Sequence, residues 1–268
     1  MKTRLITAAV GVPFLIFTLV VRGWFAEFII VALTFIAMYE NYRALKKAGY
    51  AVCEWGGYVA TAAMWPLSRL MGVLDPLLLL VAAMGVSMTG VMLHEKPAFP
   101  DAAASVYPLL TCFLPMSMFM MMMNSTYGVV PGIALITMAF AIAYAGDGAA
   151  YFGGRALGRH KLCPNVSPKK TVEGAIFGVI SGTLAGLACR AVFVYVFHMR
   201  MPGIPATIAL GLIGSAAGEI GDLSASLLKR HSGIKDYGHI FPGHGGVMDR
   251  FDSVIFTLIV MYCYTLVL

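Results

Sequence analysis

Long apolar stretches alternate with short polar segments along the whole chain. A helix of roughly 20 apolar residues crosses a bilayer core of about 30 Å. Stretches of that kind lie at about residues 5–21, 24–39, 57–73, 77–93, 105–123, 129–151, 172–197, 204–228 and 253–268. Pro66 and Arg69 interrupt the third stretch, which makes eight helices the alternative. The pattern predicts an all-α, polytopic membrane protein with about nine transmembrane helices.

Composition excludes the class of ordinary soluble domains. Hydrophobic residues make up 59% of the 268 residues and charged residues 12%. The mean hydropathy is +0.82. A soluble chain of this length would carry about twice as many charged residues, so composition and pattern agree on a membrane protein.

The 19 Lys and Arg residues indicate the orientation of the chain. Short cytoplasmic loops carry an excess of positive charge, and nine helices with a cytoplasmic N-terminus place most of these residues on that side. Eight helices would divide the charged loops between both sides. Arg43, Lys46 and Lys47 are therefore interpreted as determinants of topology. The net charge of +6 is explained by this asymmetry and by anionic lipids, and no aromatic-interleaved basic module typical of nucleic-acid binding is present.

Polar groups are distributed unevenly between two regions of the chain. Residues 1–140 are interpreted as transmembrane helices with few polar groups inside them, and residues 141–268 as a catalytic transmembrane region with charged cytoplasmic loops. Asp147, Glu219 and Asp222 fall inside apolar stretches of the second region. An ionisable group at such a depth is costly unless it is paired, hydrated or bound to a metal. The chemistry is therefore expected after residue 140.

The eighth apolar stretch contains a regular polar stripe. Its members recur at spacings of four and three residues, which places them on one face of a helix: Ser215, Glu219, Asp222, Ser226 and Lys229. The stripe predicts a hydrated cavity that opens to the cytoplasm. The alternative is a helix that packs through buried polar contacts.

The segment before the seventh stretch has the features of a helix start. Ser167 is a candidate N-cap, Pro168 suits the first helical position, and Lys169 and Lys170 would lie in the first turn. Free backbone N–H groups and two ammonium groups predict an anion site here. Glycines then recur every fourth residue and predict a ridge for close helix contact: Gly174, Gly178, Gly182 and Gly186.

Basic clusters and carboxylates are predicted to meet on the cytoplasmic side. The clusters lie at residues 155–170 and 229–235, with Arg250 nearby. Carboxylates bind Mg²⁺ and leave positions for phosphate oxygens, while Lys and Arg neutralise the remaining charge. Gly245 and Gly246 are expected to bring backbone N–H groups close to a phosphate. These residues alone indicate a membrane enzyme that acts on a phosphate ester with a divalent metal.

Two blocks of sequence resemble a known family. One reads Ser226-x-x-Lys229-Arg230-x4-Lys235-Asp236-x4-Phe241-Pro242-Gly243-His244-Gly245-Gly246-x-x-Asp249-Arg250-x-Asp252. It resembles the C-terminal signature of the phosphatidate cytidylyltransferases, also called CDP-diacylglycerol synthases. The upstream block from Asp147 to Gly174, with Ser167-Pro168-Lys169-Lys170-Thr171-x-Glu173-Gly174, is also similar. The resemblance covers about residues 144–252, and residues 1–140 contain no motif.

The resemblance implies an activity, its substrates and its metals. It implies transfer of the cytidylyl group of CTP to phosphatidic acid, with CDP-diacylglycerol and pyrophosphate as products and Mg²⁺ as cofactor. The family is understood to use a pair of metal ions, and the identity of the second cation, a metal or a monovalent ion, is open here. Asp222 and Asp249 are the first choice as metal ligands, followed by Asp147, Glu219 and Asp252.

The same resemblance assigns basic residues to the phosphates. They are Lys169, Lys170, Lys229, Arg230, Lys235 and Arg250, and Ser167, Gly245 and Gly246 are expected to bind phosphate with them. His244 is a candidate acid that protonates pyrophosphate, because the reference pKa of histidine is near 6.5. Its position between glycines equally suits a hydrogen bond within the loop.

Three other functions are compatible with parts of the pattern. A transporter would also bury Asp147, Glu219 and Asp222, but it does not need a basic, glycine-rich loop. A phosphotransferase that attaches an alcohol to a CDP-lipid would need a motif that fails after Asp147-Gly148. An enzyme that uses CTP on an ether or polyprenyl lipid phosphate is the nearest alternative. We further expect a bacterial inner-membrane enzyme with its active site facing the cytoplasm, and a homodimer is compatible with the glycine ridges.

Overall fold

The computed structural model of the chain describes residues 2–21, 23–70, 76–123, 125–127, 130–241, 243 and 245–267. Over these residues the chain forms nine helices and four short strands. The helices are α1 (Lys2–Val21), α2 (Gly23–Lys47), α3 (Trp55–Leu70), α4 (Pro76–Met92), α5 (Phe99–Met123), α6 (Gly132–Leu157), α7 (Val172–Tyr195), α8 (Ile204–His231) and α9 (Met248–Thr265). This confirms the all-α class.

The strands form two small antiparallel pairs. Strand β1 (Thr126–Tyr127) pairs with β2 (Val130–Pro131) in the connection between α5 and α6. Strand β3 (Lys161–Cys163) pairs with β4 (Ser167–Thr171) in the connection between α6 and α7. The second hairpin carries Lys169 and Lys170, two of the basic residues that the sequence assigned to phosphate.

Each predicted apolar stretch coincides with one of these helices. Pro66 does not break α3, which continues to Leu70, and α5 contains a π-helical turn over Leu109–Phe113. Among the described residues, five helices are long and apolar enough by length and composition to cross a membrane, and α4 is apolar but shorter. The five are α2, α5, α6, α7 and α8. The protein is a membrane protein, while nine membrane crossings and a cytoplasmic N-terminus stay predictions.

The chain forms two compact units. The first contains Met1–Met121 with Leu228–Arg250, and the second contains Met122–Leu227 with Phe251–Leu268. The boundaries between the units therefore fall inside α5, inside α8 and inside α9. The predicted division at residue 140 concerned the distribution of chemistry, and it stays a prediction.

The first unit buries polar groups on α2 that we did not expect. Glu27 is almost fully buried and accepts a hydrogen bond of 2.7 Å from Arg69 Nε of α3. Glu40 and Asn41 are also buried. A buried carboxylate among apolar helices needs such donors, and neither Glu27 nor Glu40 was among the predicted site residues.

In the second unit, α7 packs against its neighbours through the predicted glycine ridge. Gly174, Gly178, Gly182 and Gly186 are all buried. A Cβ atom at Gly178 would lie 2.8 Å from Glu219 Oε1 of α8, and one at Gly182 would collide with Ser215 Oγ. The missing side chains therefore make room for the polar stripe of α8.

The other side of α8 contacts α9 through its own glycines. A Cβ atom at Gly218 would lie 3.0 Å from Thr257 Oγ1, and one at Gly221 would collide with the carbonyl oxygen of Asp252. Thr257 Oγ1 also donates a hydrogen bond of 3.0 Å to the carbonyl oxygen of Gly214. Small residues on two sides thus hold α8 close to α7 and to the Phe251–Thr265 part of α9.

The variant Gly182→Ala tests this packing. Its added Cβ would lie 2.9 Å from the carbonyl oxygen of Ile142 and closer still to Ser215 Oγ, and overpacking of this kind costs about 1–3 kcal/mol. We expect a lower temperature of thermal unfolding in detergent. Gly148→Ala is the matched control because a Cβ there meets nothing within 4 Å, and helix propensity favours alanine by up to about 1 kcal/mol. Equal unfolding temperatures for the two variants would contradict the packing described here.

Candidate active site

Lys170 is the centre of a charged cluster in the second unit. It lies in β4, and its Nζ atom is 2.8 Å from Asp222 Oδ2 on α8. Burial acts to lower the pKa of Lys170, but the carboxylates of Asp222, Glu219 and Asp147 outweigh burial and hold that pKa above its ordinary value. Lys170 is therefore a permanent cation at physiological pH, and three carboxylates from two helices share it.

The three carboxylates have different surroundings. Asp147 Oδ2 of α6 accepts a hydrogen bond of 2.6 Å from Ser253 Oγ of α9. Asp222 Oδ1 accepts a longer one, 3.4 Å, from Ser226 Oγ. Glu219 Oε1 is buried and has no hydrogen-bond partner among the described residues. A buried acceptor without a donor is costly, so Glu219 is the group in this cluster that most needs a cation or a proton.

The polar stripe of α8 has features of both alternatives, a hydrated face and a face that packs through buried polar contacts. At Ser215 and Glu219 it packs against the glycines of α7, as buried polar contacts between helices would. Asp222 is partly accessible, with 28% of its side chain exposed, and Ser226 is half-buried. Glu219 is also half-buried, although its Oε1 atom is fully buried. The accessible part of the stripe in this unit therefore begins at Glu219 and Asp222, where Lys170 lies.

The predicted helix start at Ser167 is wrong. Residues Ser167–Thr171 form the extended strand β4, and the helix begins at Val172. Thr171 is the actual N-cap, since its side-chain oxygen accepts a hydrogen bond of 3.1 Å from the Gly174 backbone N–H. Pro168 misled the prediction because its fixed φ suits the edge of a strand as well as a first helical turn. Lys169 and Lys170 consequently lie on a hairpin.

Glu173 fixes this hairpin to the start of α7. Its carboxylate accepts hydrogen bonds from the backbone N–H groups of Arg159, at 3.0 Å, and His160, at 3.2 Å. His160 Nδ1 lies a further 2.6 Å from Glu173 Oε1. The position of Lys170 thus depends on contacts at both ends of the hairpin. Glu173 was quoted in the family resemblance without a role, and these contacts supply one.

The first unit contains a second charged pair, between α8 and the first turn of α9. Asp249 is buried, and its Oδ1 atom lies 3.0 Å from Lys229 Nζ. Its Oδ2 atom accepts hydrogen bonds from the backbone N–H groups of Tyr237, at 2.7 Å, and Gly246, at 2.9 Å. Lys229 Nζ also lies 5.4 Å from the centre of the Tyr237 ring. Both oxygens of Asp249 are therefore engaged within the protein.

The glycines that we predicted to bind phosphate have a local role in this arrangement. Gly245 has φ +86°, which favours glycine, and a Cβ there would lie 2.6 Å from Asp249 Oδ2. The N–H group of Gly246 donates to the same carboxylate. The structure thus places both glycines around Asp249. Phosphate binding by them stays a prediction.

Glu40 and Arg43 of α2 were missed as part of this region. Glu40 Oε1 and Oε2 accept hydrogen bonds from the backbone N–H groups of Val247, at 3.1 Å, and Met248, at 2.9 Å. Arg43 Nη2 donates to the carbonyl oxygen of Tyr237. Arg43 was interpreted only as a topology determinant. One signal was available: Glu40 directly follows an apolar stretch, and a carboxylate there needs a partner.

The remaining candidates are placed as follows. Arg230, Lys235, Arg250 and Lys169 are exposed, and Ser167 is half-buried. Asp252 is buried in the first turns of α9, and its Oδ1 accepts a hydrogen bond of 3.0 Å from the Ser253 backbone N–H. His244 lies outside the described residues.

The donors present in the second unit fit Mg²⁺ in kind. In the part of the chain that the structure describes, no three His, Cys, Asp or Glu side chains form a group able to hold a metal ion. Mg²⁺ needs only one or two carboxylates, however, when water and substrate phosphates supply its other ligands. Asp222, Asp147 and the unpartnered oxygen of Glu219 meet that requirement, because they are oxygen donors gathered around one cation.

The chain is similar to one known protein family and to named bacterial proteins. A model of the cytidylyltransferase family matches residues 2–268. The chain is also similar to proteins named phosphatidate cytidylyltransferase. It is 40% identical over 131 residues to one from Bacillus subtilis, an alignment that covers 49% of this chain and 47% of that relative. It is 43% identical to one from Staphylococcus epidermidis and 42% to one from Staphylococcus aureus, each over 127 residues and 47% of both chains. These alignments span about half the length of the curated relatives.

Two alanine variants distinguish the observed helix cap from the predicted one. Thr171→Ala removes the acceptor of the Gly174 N–H group, and loss of such a cap costs about 1 kcal/mol. Ser167→Ala removes only the predicted cap, so we expect little change in stability. Thermal unfolding in detergent measures both variants. A larger loss of stability for Ser167→Ala than for Thr171→Ala would contradict the assignment of the cap to Thr171.

Proposed function

We propose that this chain, which belongs to the cytidylyltransferase family, transfers the cytidylyl group of CTP to phosphatidic acid. The products are CDP-diacylglycerol and pyrophosphate, so the enzyme serves phospholipid synthesis. The relatives, which align with this chain over about half of their own length, are named phosphatidate cytidylyltransferase. Its membrane helices suit a lipid substrate.

The observation that carries the proposal is the cluster around Lys170. A cation and three carboxylates are held together by a hairpin and by apolar helices long enough to cross a membrane. Ionisable groups in such surroundings are costly and mark a functional site by default. A polyphosphate bound with a divalent metal is a ligand that uses both signs of charge.

The chemistry requires charge neutralisation more than proton removal. A phosphate oxygen of phosphatidic acid forms a bond to the α-phosphorus of CTP, and the bond from that phosphorus to the β-phosphate oxygen breaks, releasing pyrophosphate. A phosphate monoester has its second pKa near 6 and is largely ionised at neutral pH. No strong general base is needed, and catalysis depends on positioning the two phosphates and neutralising their charge.

We propose that Asp222, with Asp147 and Glu219, holds Mg²⁺. The ion would supply charge neutralisation at the phosphates. Lys170 keeps these carboxylates together and is itself proposed to bind phosphate. Asp249 and Asp252 were also predicted to bind metal. The hydrogen bonds of Asp249 support a positioning role for it at least as well, and a second cation stays a prediction.

The exposed basic residues are proposed to bind the phosphates of CTP or of the lipid. Lys169, Arg230, Lys235 and Arg250 have the accessibility that this role requires. Lys229 is more enclosed and paired with Asp249, so its contribution depends on that pair. His244 is retained as a candidate acid for pyrophosphate on the strength of the sequence alone.

The identity of the lipid substrate and the membrane in which the protein lies are proposed from more general features. Nucleotide and phosphate recognition do not specify lipid tails, so an ether or polyprenyl lipid phosphate is the alternative acceptor. The named relatives are bacterial proteins, which supports a bacterial inner membrane as the location. The charge asymmetry of the loops supports a cytoplasmic active site. A homodimer stays a prediction.

A cytidylyl-transfer assay on the full chain in detergent tests the function. Labelled CTP, Mg²⁺ and either phosphatidic acid, its ether analogue or a polyprenyl phosphate are incubated with enzyme, and label in the lipid fraction is measured. We expect label with phosphatidic acid that depends on Mg²⁺. Asp222→Asn should lower kcat/KM by about 100-fold or more, because a charge that neutralises the transition state is lost.

The matched control is Glu95→Gln, which removes an exposed carboxylate between α4 and α5. It should retain the activity of the unmodified chain. Folded protein that labels none of the three lipids would overturn the proposed function. Label on polyprenyl phosphate alone would replace phosphatidic acid as the acceptor. Equal activity of Asp222→Asn and Glu95→Gln would remove Asp222 from the site.

A further inference from the structure

We propose that Glu40 and Arg43 of α2 are positioning residues that hold the described loop residues 237–241 and 245–247 in their working conformation. The proposal rests on the proposed function, since it concerns the same reaction. It assigns a role to a part of the chain without any motif. All of the contacts that support it lie within the first unit.

Glu40 contacts the start of α9. The carboxylate is 2% exposed, and its two oxygens accept hydrogen bonds from the N–H groups of Val247 and Met248. The first N–H groups of a helix have no partner inside the helix, and a negative charge is favourable at that end. Glu40 therefore caps α9 from a helix about 200 residues away in sequence.

The contacts of Glu40 also explain two glycines, Gly246 of the signature and Gly238 at one of its unspecified positions. A Cβ atom at Gly238 or at Gly246 would collide with the carboxylate of Glu40. Because these two residues have no side chains, the loop leaves room for the carboxylate of Glu40. A different residue at either glycine would expel the carboxylate or shift the loop.

Hydrogen bonds also connect Glu40 and Arg43 to the ion pair of Asp249 with Lys229. Arg43 Nη2 donates to the Tyr237 carbonyl oxygen, while the Tyr237 N–H group donates to Asp249 Oδ2. Gly246, which contacts Glu40, donates its N–H group to the same oxygen. Asp249 in turn lies against Lys229. Disturbing Glu40 or Arg43 should therefore change the geometry of Asp249 and Lys229.

The alternative is that Glu40 merely stabilises the fold. A purely structural role predicts lower stability with an unchanged turnover number in the molecules that remain folded. A positioning role predicts a lower kcat in folded molecules and a local loosening of the loop. Outer contacts that orient functional groups typically contribute 10–100-fold to activity, and we expect a decrease of about that size.

The test compares variants of α2 in the full chain. Glu40→Gln replaces one acceptor oxygen with a donor that faces N–H groups, and Glu40→Asp keeps the charge on a shorter side chain. Arg43→Met removes the donor to Tyr237. Glu27→Gln is the matched control, because Glu27 is a buried carboxylate of the same helix that accepts a hydrogen bond from Arg69 of α3. Each variant is assayed for kcat and KM for CTP, and hydrogen exchange is measured for peptides that cover residues 237–250.

We expect Glu40→Gln to lower kcat by about 10–100-fold and to speed amide exchange in residues 237–250. Glu40→Asp should recover part of both, Arg43→Met should show the same changes more weakly, and Glu27→Gln should show neither. If Glu40→Gln does not fold, Glu40→Asp and Arg43→Met decide the question, because Arg43 is exposed.

The failures of the two proposals are distinguishable. An unmodified chain that transfers no cytidylyl group defeats the proposed function, whereas the exchange measurement still reports on the loop. An active chain whose folded Glu40 and Arg43 variants keep kcat within about three-fold overturns the positioning role. Unchanged exchange over residues 237–250 in those variants overturns it as well.

Discussion

Compensation of buried carboxylates is the constraint on which the rest of this structure depends. Among apolar helices a carboxylate needs donors or a cation at close range. In the first unit, backbone N–H groups satisfy Glu40, and Lys229 with two more N–H groups satisfies Asp249. In the second unit, Lys170 compensates Asp222, and Ser253 donates to Asp147. The segments that carry these partners are held in place for that reason.

Glycines make this compensation geometrically feasible. In the second unit, Gly178 and Gly182 of α7 admit Glu219 and Ser215 of α8 at distances that any side chain would prevent. In the first unit, Gly238 and Gly246 admit Glu40 in the same way. These four glycines thus allow polar groups on one element to lie against the backbone of another. Closely packed helices then hold those groups rigidly.

Local regularities predicted much of the fold from the sequence. Long apolar stretches gave the positions of the helices because length and hydropathy are properties of neighbouring residues. The four-residue glycine repeat in α7 and the polar stripe of α8 were recognisable for the same reason. The helix start at Ser167 was wrong since Pro168 is compatible with two local structures, and only the pairing of β4 with β3 decides between them.

Partners distant in sequence were beyond such reasoning. Asp249 was recognised as a functional candidate, but its contacts with the N–H groups of Tyr237 and Gly246 depend on how the intervening loop folds. Glu40 meets Val247 and Met248 across about 200 residues. No periodicity or motif connects residues at that separation. The sequence therefore indicated candidate residues for the chemistry, and the structure shows which residues contact them.

We propose that the Lys170–Asp222 pair serves phosphate chemistry as well as charge compensation. A double-mutant cycle with Lys170→Met, Asp222→Asn and the double variant measures both properties in the same preparations. We expect the double variant to be more stable than the two single losses imply, with a coupling of about 0.5–3 kcal/mol, and we expect all three variants to lose cytidylyl transfer. A double variant that regains transfer together with stability would contradict this proposal, because the pair would then be only structural.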